Sequence, residues 1–85
     1  MERQTEKKIW KMVREIAGIE MQEPQDKNVC LEDIGYDSIS KVQLQVEIED
    51  EFGFLFDPLE DDFDEIFSTL EKLYRSVAEK VEQVQ

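Results

Sequence analysis

The sequence contains no histidine and only one cysteine, Cys30. Without an imidazole it lacks the side chain that most often acts as a general base at neutral pH. A single cysteine excludes an intramolecular disulfide and the usual Cys/His zinc sites. We therefore expect no metal site and no catalytic residues, and the composition argues against a hydrolase or a metalloenzyme.

Long apolar runs are also missing. No stretch approaches the roughly 20 apolar residues that a membrane-spanning helix needs, and no apolar core region follows the charged N-terminal residues. The 85 residues predict one domain, residues 1–85, because a chain of this size buries only a little over roughly 60% of its unfolded surface. We expect a soluble, cytoplasmic monomer whose small core leaves no room for a deep catalytic cleft.

The net charge of −12 is concentrated in one part of the chain. Residues 31–65 hold thirteen acids and a single base, Lys41, whereas acids and bases balance in residues 1–30 and 66–85. A field of this sign repels nucleic acid and anionic lipid, and it attracts basic protein surfaces. The expected partner is therefore a protein with a basic patch, and neither nucleic acid nor a membrane.

Apolar residues at intervals of three and four predict one helix near each end of the chain, over about residues 4–17 and 69–83. The first series is Ile9, Met12, Val13, Ile16 and Ile19, and the second is Leu70, Leu73, Val77, Val81 and Val84. Ser68 to Glu71 has capping-box spacing at the start of the second helix. Asp57 as a cap and Pro58 as the first helical residue indicate a short acidic helix over 58–66.

The segment 38–52 is ambiguous, because Val42 to Glu49 alternate apolar and polar residues as a strand does. The only candidate partner strand is Phe52–Phe56, and a lone two-stranded hairpin is marginal. We favour a helix over 38–52, on which the apolar residues form two nearly opposite stripes. One stripe is Ile39, Val42 and Val46, and the other is Leu44, Ile48 and Phe52. The predicted fold is all-α, a four-helix bundle of three main helices and one short helix.

Asp37 and Ser38 begin this helix, and both residue types are preferred helix caps. Without a histidine, Ser38 cannot be the nucleophile of a catalytic triad. It can still be a residue that another enzyme modifies, because Gly35 sets a turn before it and an uncommitted apolar stripe starts beside it. Both interpretations, a cap and a modification site, follow from these residues.

The stretch from Leu31 through Asp37-Ser38-Ile39 to Glu49-Asp50-Glu51-Phe52 resembles the acyl and peptidyl carrier proteins, which are phosphopantetheine-binding four-helix domains. Its Gly-x-Asp-Ser-[Leu/Ile] core is a fairly specific motif in a domain of this size. The resemblance implies that a phosphopantetheinyl transferase esterifies Ser38 with 4′-phosphopantetheine from coenzyme A. The terminal thiol of that arm would carry an acyl group as a thioester, with Asp37 beside the attached group, and the chain itself would be no enzyme.

The resemblance also implies a docking surface on the helix that follows Ser38. Its partners would be acyl- or aminoacyl-loading and condensing enzymes with basic patches, which complement acidic residues on the carrier. The implied docking residues are Ile39, Lys41, Val42, Val46, Glu47, Glu49 and Asp50.

Several positions depart from the pattern of fatty-acid carriers. Ser40 and Gln43 stand where those carriers usually have acids, with Lys41 between them, and Tyr36 replaces a small residue. Cys30 stands where a larger apolar residue is common, and we expect it to be a small buried hydrophobic residue. These departures favour a carrier of a specialised polyketide, nonribosomal-peptide or lipid pathway.

Two alternatives come from other classes. In the first, the chain is an acidic helical interaction module that is never modified, Ser38 only caps its helix and the spare apolar stripe binds a partner helix. In the second, the acids between Asp57 and Glu65 bind calcium, although Pro58 and Leu59 interrupt them and no Asp-x-Asp-x-Asp-Gly loop is present.

Overall fold

The structure, a computed structural model, describes residues 3–57 and 59–84. Its helices are α1 (Arg3–Ala17), α2 (Ser38–Phe52), the short α3 (Phe63–Ile66) and α4 (Leu70–Val84), and a 3₁₀ helix, Leu31–Ile34, precedes α2. Within those residues there is no strand, only an isolated bridge between Cys30 and Thr69. The predicted all-α class with three main helices and one short helix is confirmed, and a single domain over 1–85 stays a prediction.

Helix α2 settles the ambiguity between strand and helix. Leu44 and Ile48 are fully buried, whereas Ile39, Val42 and Val46 are 72%, 50% and 56% exposed. Residues two apart on a helix point about 200° apart, so alternating apolar residues fall on opposite faces. The strand-like alternation is therefore the pattern of a helix with one apolar face in the core and one in solvent.

The core is shared by the three long helices and by side chains of the connecting segments. Its most deeply buried members are Ile9, Val13, Leu31, Leu44, Ile48, Phe67, Leu70, Leu73, Tyr74 and Val77. Three aromatic contacts extend it under the α2–α3 connection, because Phe56 packs edge-on against Phe54 and Phe67, and Phe63 stacks on Phe67. These contacts hold the connection against the bundle, next to the exposed face of α2.

The connection between α2 and α3 differs from the predicted helix over 58–66, which is wrong for its first half. Asp57 forms a separate turn, in which Leu59 N donates to Asp57 Oδ1 and Asp61 N to Asp57 O, both at 2.8 Å. The α-helix begins only after Asp62, whose side chain accepts from Glu65 N at 3.3 Å. Asp57 and Asp62 thus each cap a turn of their own, and side chains that bond locally in this way interrupt a continuous helix. Pro58 lies outside the described residues.

Two smaller expectations also need correction. Cys30 is exposed, although Leu31 beside it is fully buried. Cys30 has extended backbone angles, which send neighbouring side chains to opposite sides, so only one of the two can enter the core. At the start of α4, Thr69 and not Ser68 receives a backbone hydrogen bond, from Lys72 N at 3.2 Å.

Truncating a side chain should affect stability very differently on the two faces of α2. Leu44→Ala removes a fully buried side chain, so we expect the free energy of unfolding to fall by about 2–5 kcal/mol. Val46→Ala, on the exposed face of the same helix, should change it by less than about 0.5 kcal/mol. Urea denaturation followed by circular dichroism measures both, and equal losses would contradict this orientation of α2.

Candidate functional site

The turn that leads into α2 is fixed by its backbone. Gly35 has φ 101° and ψ 8°, in the left-handed region that favours glycine. Its N–H donates to Glu32 O at 3.1 Å, and Tyr36 N donates to Leu31 O at the same distance. The chain is therefore turned sharply from the 3₁₀ helix toward α2, and Ser38 follows directly.

Tyr36 anchors this turn to helix α1. Its side chain is only 3% exposed, and its hydroxyl donates to Val13 O at 2.8 Å. Burial and, to a smaller extent, the charge of Glu47 raise the pKa of Tyr36 above its ordinary value, so the hydroxyl stays protonated and donating at neutral pH. The sequence marked Tyr36 only as a departure, because nothing local identifies an acceptor that lies 23 residues away.

Asp37 is the N-cap of α2. Its carboxylate accepts a hydrogen bond from Ser40 N at 2.8 Å. Hydrogen bonds from the backbone and side chain of Ser40 lower the pKa of Asp37, so the cap is ionised at neutral pH. Since Asp37 fills the capping role, the helix does not need Ser38 as its cap, and the premise of the unmodified-module alternative is wrong on this point.

Ser38 is the first residue of α2, and its side chain is exposed. None of the hydrogen bonds between described residues uses its hydroxyl, whereas Asp37 beside it is engaged with Ser40. The hydroxyl therefore lies in solvent, directly after a turn that backbone hydrogen bonds hold. Another protein can reach it there.

The predicted docking residues separate into two sets. Ile39, Val42, Val46, Glu47 and Asp50 are all exposed on α2. The other two, Glu49 and Lys41, are half-buried and make contacts within the chain. The structure therefore brings five of the seven predicted residues to solvent.

Glu49 holds the α2–α3 connection in place. Its Oε2 accepts from Phe56 N at 2.9 Å and from Gln45 Nε2 at 3.3 Å. Lys41 Nζ lies 3.2 Å from Glu32 Oε1, on the 3₁₀ helix. The contacts of Glu49 with Phe56 and of Lys41 with Glu32 could not be found from the sequence, because both depend on the tertiary arrangement of the loops.

A groove of about 690 Å³ runs beside the exposed face of α2. Val42 and Gln45 form one wall, and Phe56, Leu59, Phe63 and Phe67 are among the residues of the other. Leu59 is 94% exposed at its rim. The sequence did not indicate Leu59 as a surface residue, since the predicted helix over 58–66 gave no reason to single it out.

Several of the acids proposed for calcium bond to protein groups. Asp61 Oδ2 accepts from Asp57 N and forms an ion pair with Lys80 Nζ at 2.8 Å. Among residues 3–57 and 59–84 no group of His, Cys, Asp and Glu side chains is arranged to hold a metal ion.

The model of the family described as phosphopantetheine attachment site matches residues 7–77. The match covers most of the chain, including the turn, Ser38 and all of α2. The chain belongs to this family, and its cofactor is a covalently attached 4′-phosphopantetheine. Its general role is that of a carrier. No curated protein matches the chain.

In the part of the chain that the structure describes, no helix combines the length and the apolar character that crossing a membrane requires.

The anchor at Tyr36 predicts how stability responds to mutation and to alkaline pH. Tyr36→Phe removes the hydrogen bond to Val13 O, so we expect a loss of about 1 kcal/mol at pH 7. A tyrosine with its ordinary pKa of about 10 ionises in the unfolded chain first, whereas the pKa of buried Tyr36 is raised. The stabilisation is therefore full below pH about 9 and falls as the pH rises beyond about 10.

Urea denaturation between pH 7 and about 10.5 checks this prediction. The wild type should lose stability with rising pH more steeply than Tyr36→Phe, while Tyr74, whose pKa is also raised by burial, contributes equally to both. Identical slopes for the two proteins would show that Tyr36 is not held protonated by the fold.

Proposed function

We propose that Ser38 is the attachment residue for the phosphopantetheine arm, and that the chain holds an acyl intermediate on it for delivery to partner enzymes. One observation carries the proposal: Asp37 supplies the helix cap, so the exposed Ser38 hydroxyl has no structural duty. The family match covers this position. A serine that is neither buried nor engaged is available for modification.

Attachment is a phosphoryl transfer to the Ser38 hydroxyl. Its oxygen forms a bond to the phosphorus of coenzyme A that bears the pantetheine, the bond from that phosphorus to the adenosine bisphosphate breaks, and the hydroxyl proton leaves. The chain has no histidine, and the lowered pKa of Asp37 makes it a weak base. We infer that the transferase supplies the base and that Asp37 helps to position magnesium or the transferase.

When bound, the cofactor supplies a thiol that holds the acyl group as a thioester. The contribution of the chain is presentation, because a tether at Ser38 converts each meeting of substrate and enzyme into an event at high effective concentration. The rigid turn at Tyr36 and Asp37 keeps the attachment point in one place. No step of the chemistry requires a catalytic group on this protein.

The exposed face of α2 is the proposed docking surface. Ile39, Val42 and Val46 offer apolar contacts, and Glu47 and Asp50 offer the charge that steers basic partners. Asp37 remains part of the attachment site, whereas Glu49 and Lys41 act within the chain. The proposed partners are the transferase and acyl- or aminoacyl-loading and condensing enzymes.

The first turn of this surface carries little charge. Ser40 and Gln43 are neutral, and Lys41 is paired with Glu32. A partner enzyme whose basic residues contact acids at these positions would bind this surface poorly. We therefore propose service in a specialised polyketide, nonribosomal-peptide or lipid pathway and not in a housekeeping fatty-acid synthase.

Intact mass after incubation with coenzyme A, magnesium and a broad-specificity phosphopantetheinyl transferase tests the attachment. The wild type should gain the mass of one arm, and Ser38→Ala should gain none. Ser40→Ala is the matched control, because it removes a neighbouring hydroxyl in the same turn, and it should be modified like the wild type. No gain by the wild type, or a gain by Ser38→Ala, would favour the unmodified module or another attachment residue.

Charge reversal on α2 tests the docking surface. With Glu47→Lys and Asp50→Lys combined, kcat/KM of the transferase at low salt should fall at least roughly tenfold, because the electrostatic attraction is reversed. The control is Glu79→Lys with Glu82→Lys, two exposed acids on α4 with the same change in net charge. High salt should remove the difference, and equal losses in both variants would place the effect in net charge alone.

A further inference from the structure

Lys41 has an unusual position for the only base among the thirteen acids of residues 31–65. Its side chain is only 12% exposed, whereas that of its partner Glu32 is 75% exposed. The lysine side chain is therefore largely enclosed by the protein, whereas the side chain of Glu32 lies largely in solvent. In such a pair the lysine keeps its position, and another anion can take the place of the carboxylate.

The ammonium group of Lys41 lies at the end of α2 that begins with Ser38. Helical side chains lean toward the helix N-terminus, and the contact with Glu32, which precedes α2, shows this direction for Lys41. Ser38 and Lys41 are three residues apart on α2, so their Cβ atoms are about 5–6 Å apart. A phosphate on the Ser38 oxygen therefore falls within the reach of the lysine.

We propose that Lys41 exchanges partners when the arm is attached, releasing Glu32 and binding a non-bridging oxygen of the phosphodiester on Ser38. The inference rests on the proposed attachment at Ser38. It makes Lys41 a positioning residue for the base of the arm, and Glu32 the ion-pair partner of the lysine before attachment.

Three physical terms favour the exchange. The phosphodiester brings a negative charge next to ionised Asp37, and Lys41 is the base nearest in sequence that can balance it. The lysine stem is already ordered, so the new contact costs little side-chain entropy. An exposed carboxylate gains little from a surface ion pair, and Glu32 is therefore released easily.

Two other lysines of the chain form ion pairs with acids elsewhere. Lys27 Nζ is 2.7 Å from Glu6 Oε1, and Lys8 Nζ is 3.7 Å from Glu51 Oε2. Lys41 is the base three residues from Ser38 on the same helix, and the proposal assigns it to a group on Ser38.

The exchange changes the surface that partners meet. Attachment places the lysine against the arm and leaves the Glu32 carboxylate uncompensated on the 3₁₀ helix. The transferase, which binds the unmodified form, and the enzymes that bind the loaded form would therefore encounter different charges beside Ser38.

The ³¹P resonance of the modified protein tests the contact directly. We expect it to shift in Lys41→Gln relative to the wild type and to return toward the wild-type position in Lys41→Arg, which restores a cation. Lys72→Gln is the control, because Lys72 is a half-exposed lysine whose Nζ lies 3.5 Å from Glu65 Oε1 on another part of the bundle. It makes the same change in net charge and should leave the resonance unmoved.

The ¹⁵N resonance of the Lys41 ammonium group tests whether its contact with Glu32 is lost on attachment. Glu32→Gln should shift it in the unmodified protein and leave it unchanged after modification. A ³¹P resonance that is the same in wild type and Lys41→Gln, or a Lys41 signal that responds to Glu32→Gln equally in both forms, would overturn the exchange. Intact mass is measured on the same samples, so absence of the arm would instead overturn attachment at Ser38.

Discussion

The burial of Leu44 and Ile48 fixes the rotation of α2 about its axis, and the proposed site depends on that rotation. Both residues lie fully inside the core shared with α1 and α4. Because their burial leaves α2 one favourable orientation, Ile39, Val42 and Val46 must face solvent. Three exposed aliphatic side chains on one helix face form an apolar patch, which is the reason for proposing this face as the docking surface.

Three consecutive residues hold the turn that precedes α2. A left-handed glycine, a buried tyrosine hydroxyl and an ionised aspartate cap follow one another at Gly35, Tyr36 and Asp37. Each acts on a different neighbour, namely the 3₁₀ helix, α1 and the first turn of α2. Ser38 follows these contacts and takes no part in them, so a long flexible group can be attached there without disturbing the packing.

Local patterns were sufficient for the three long helices, because helical periodicity is a property of neighbouring residues. The Asp37-Ser38-Ile39 motif is local in the same way, and attachment at Ser38 stays a prediction. Local patterns also have a limit. They failed where a partner comes from elsewhere in the fold. Tyr36 bonds to α1, Glu49 to the backbone of Phe56, and Lys41 to the 3₁₀ helix. The helix predicted over 58–66 failed for a different reason, since two nearby aspartates compete to start it and the sequence does not rank them.

Because Cys30 is exposed, the number of reactive thiols per molecule would report the state of the arm. It is the only cysteine of the chain, and its thiol is accessible. A thiol reagent would therefore count one reactive sulfur per molecule without the arm, two with a free arm, and one again when an acyl group occupies the arm. The stoichiometry of labelling would thus follow loading and unloading without any knowledge of which acyl group is carried.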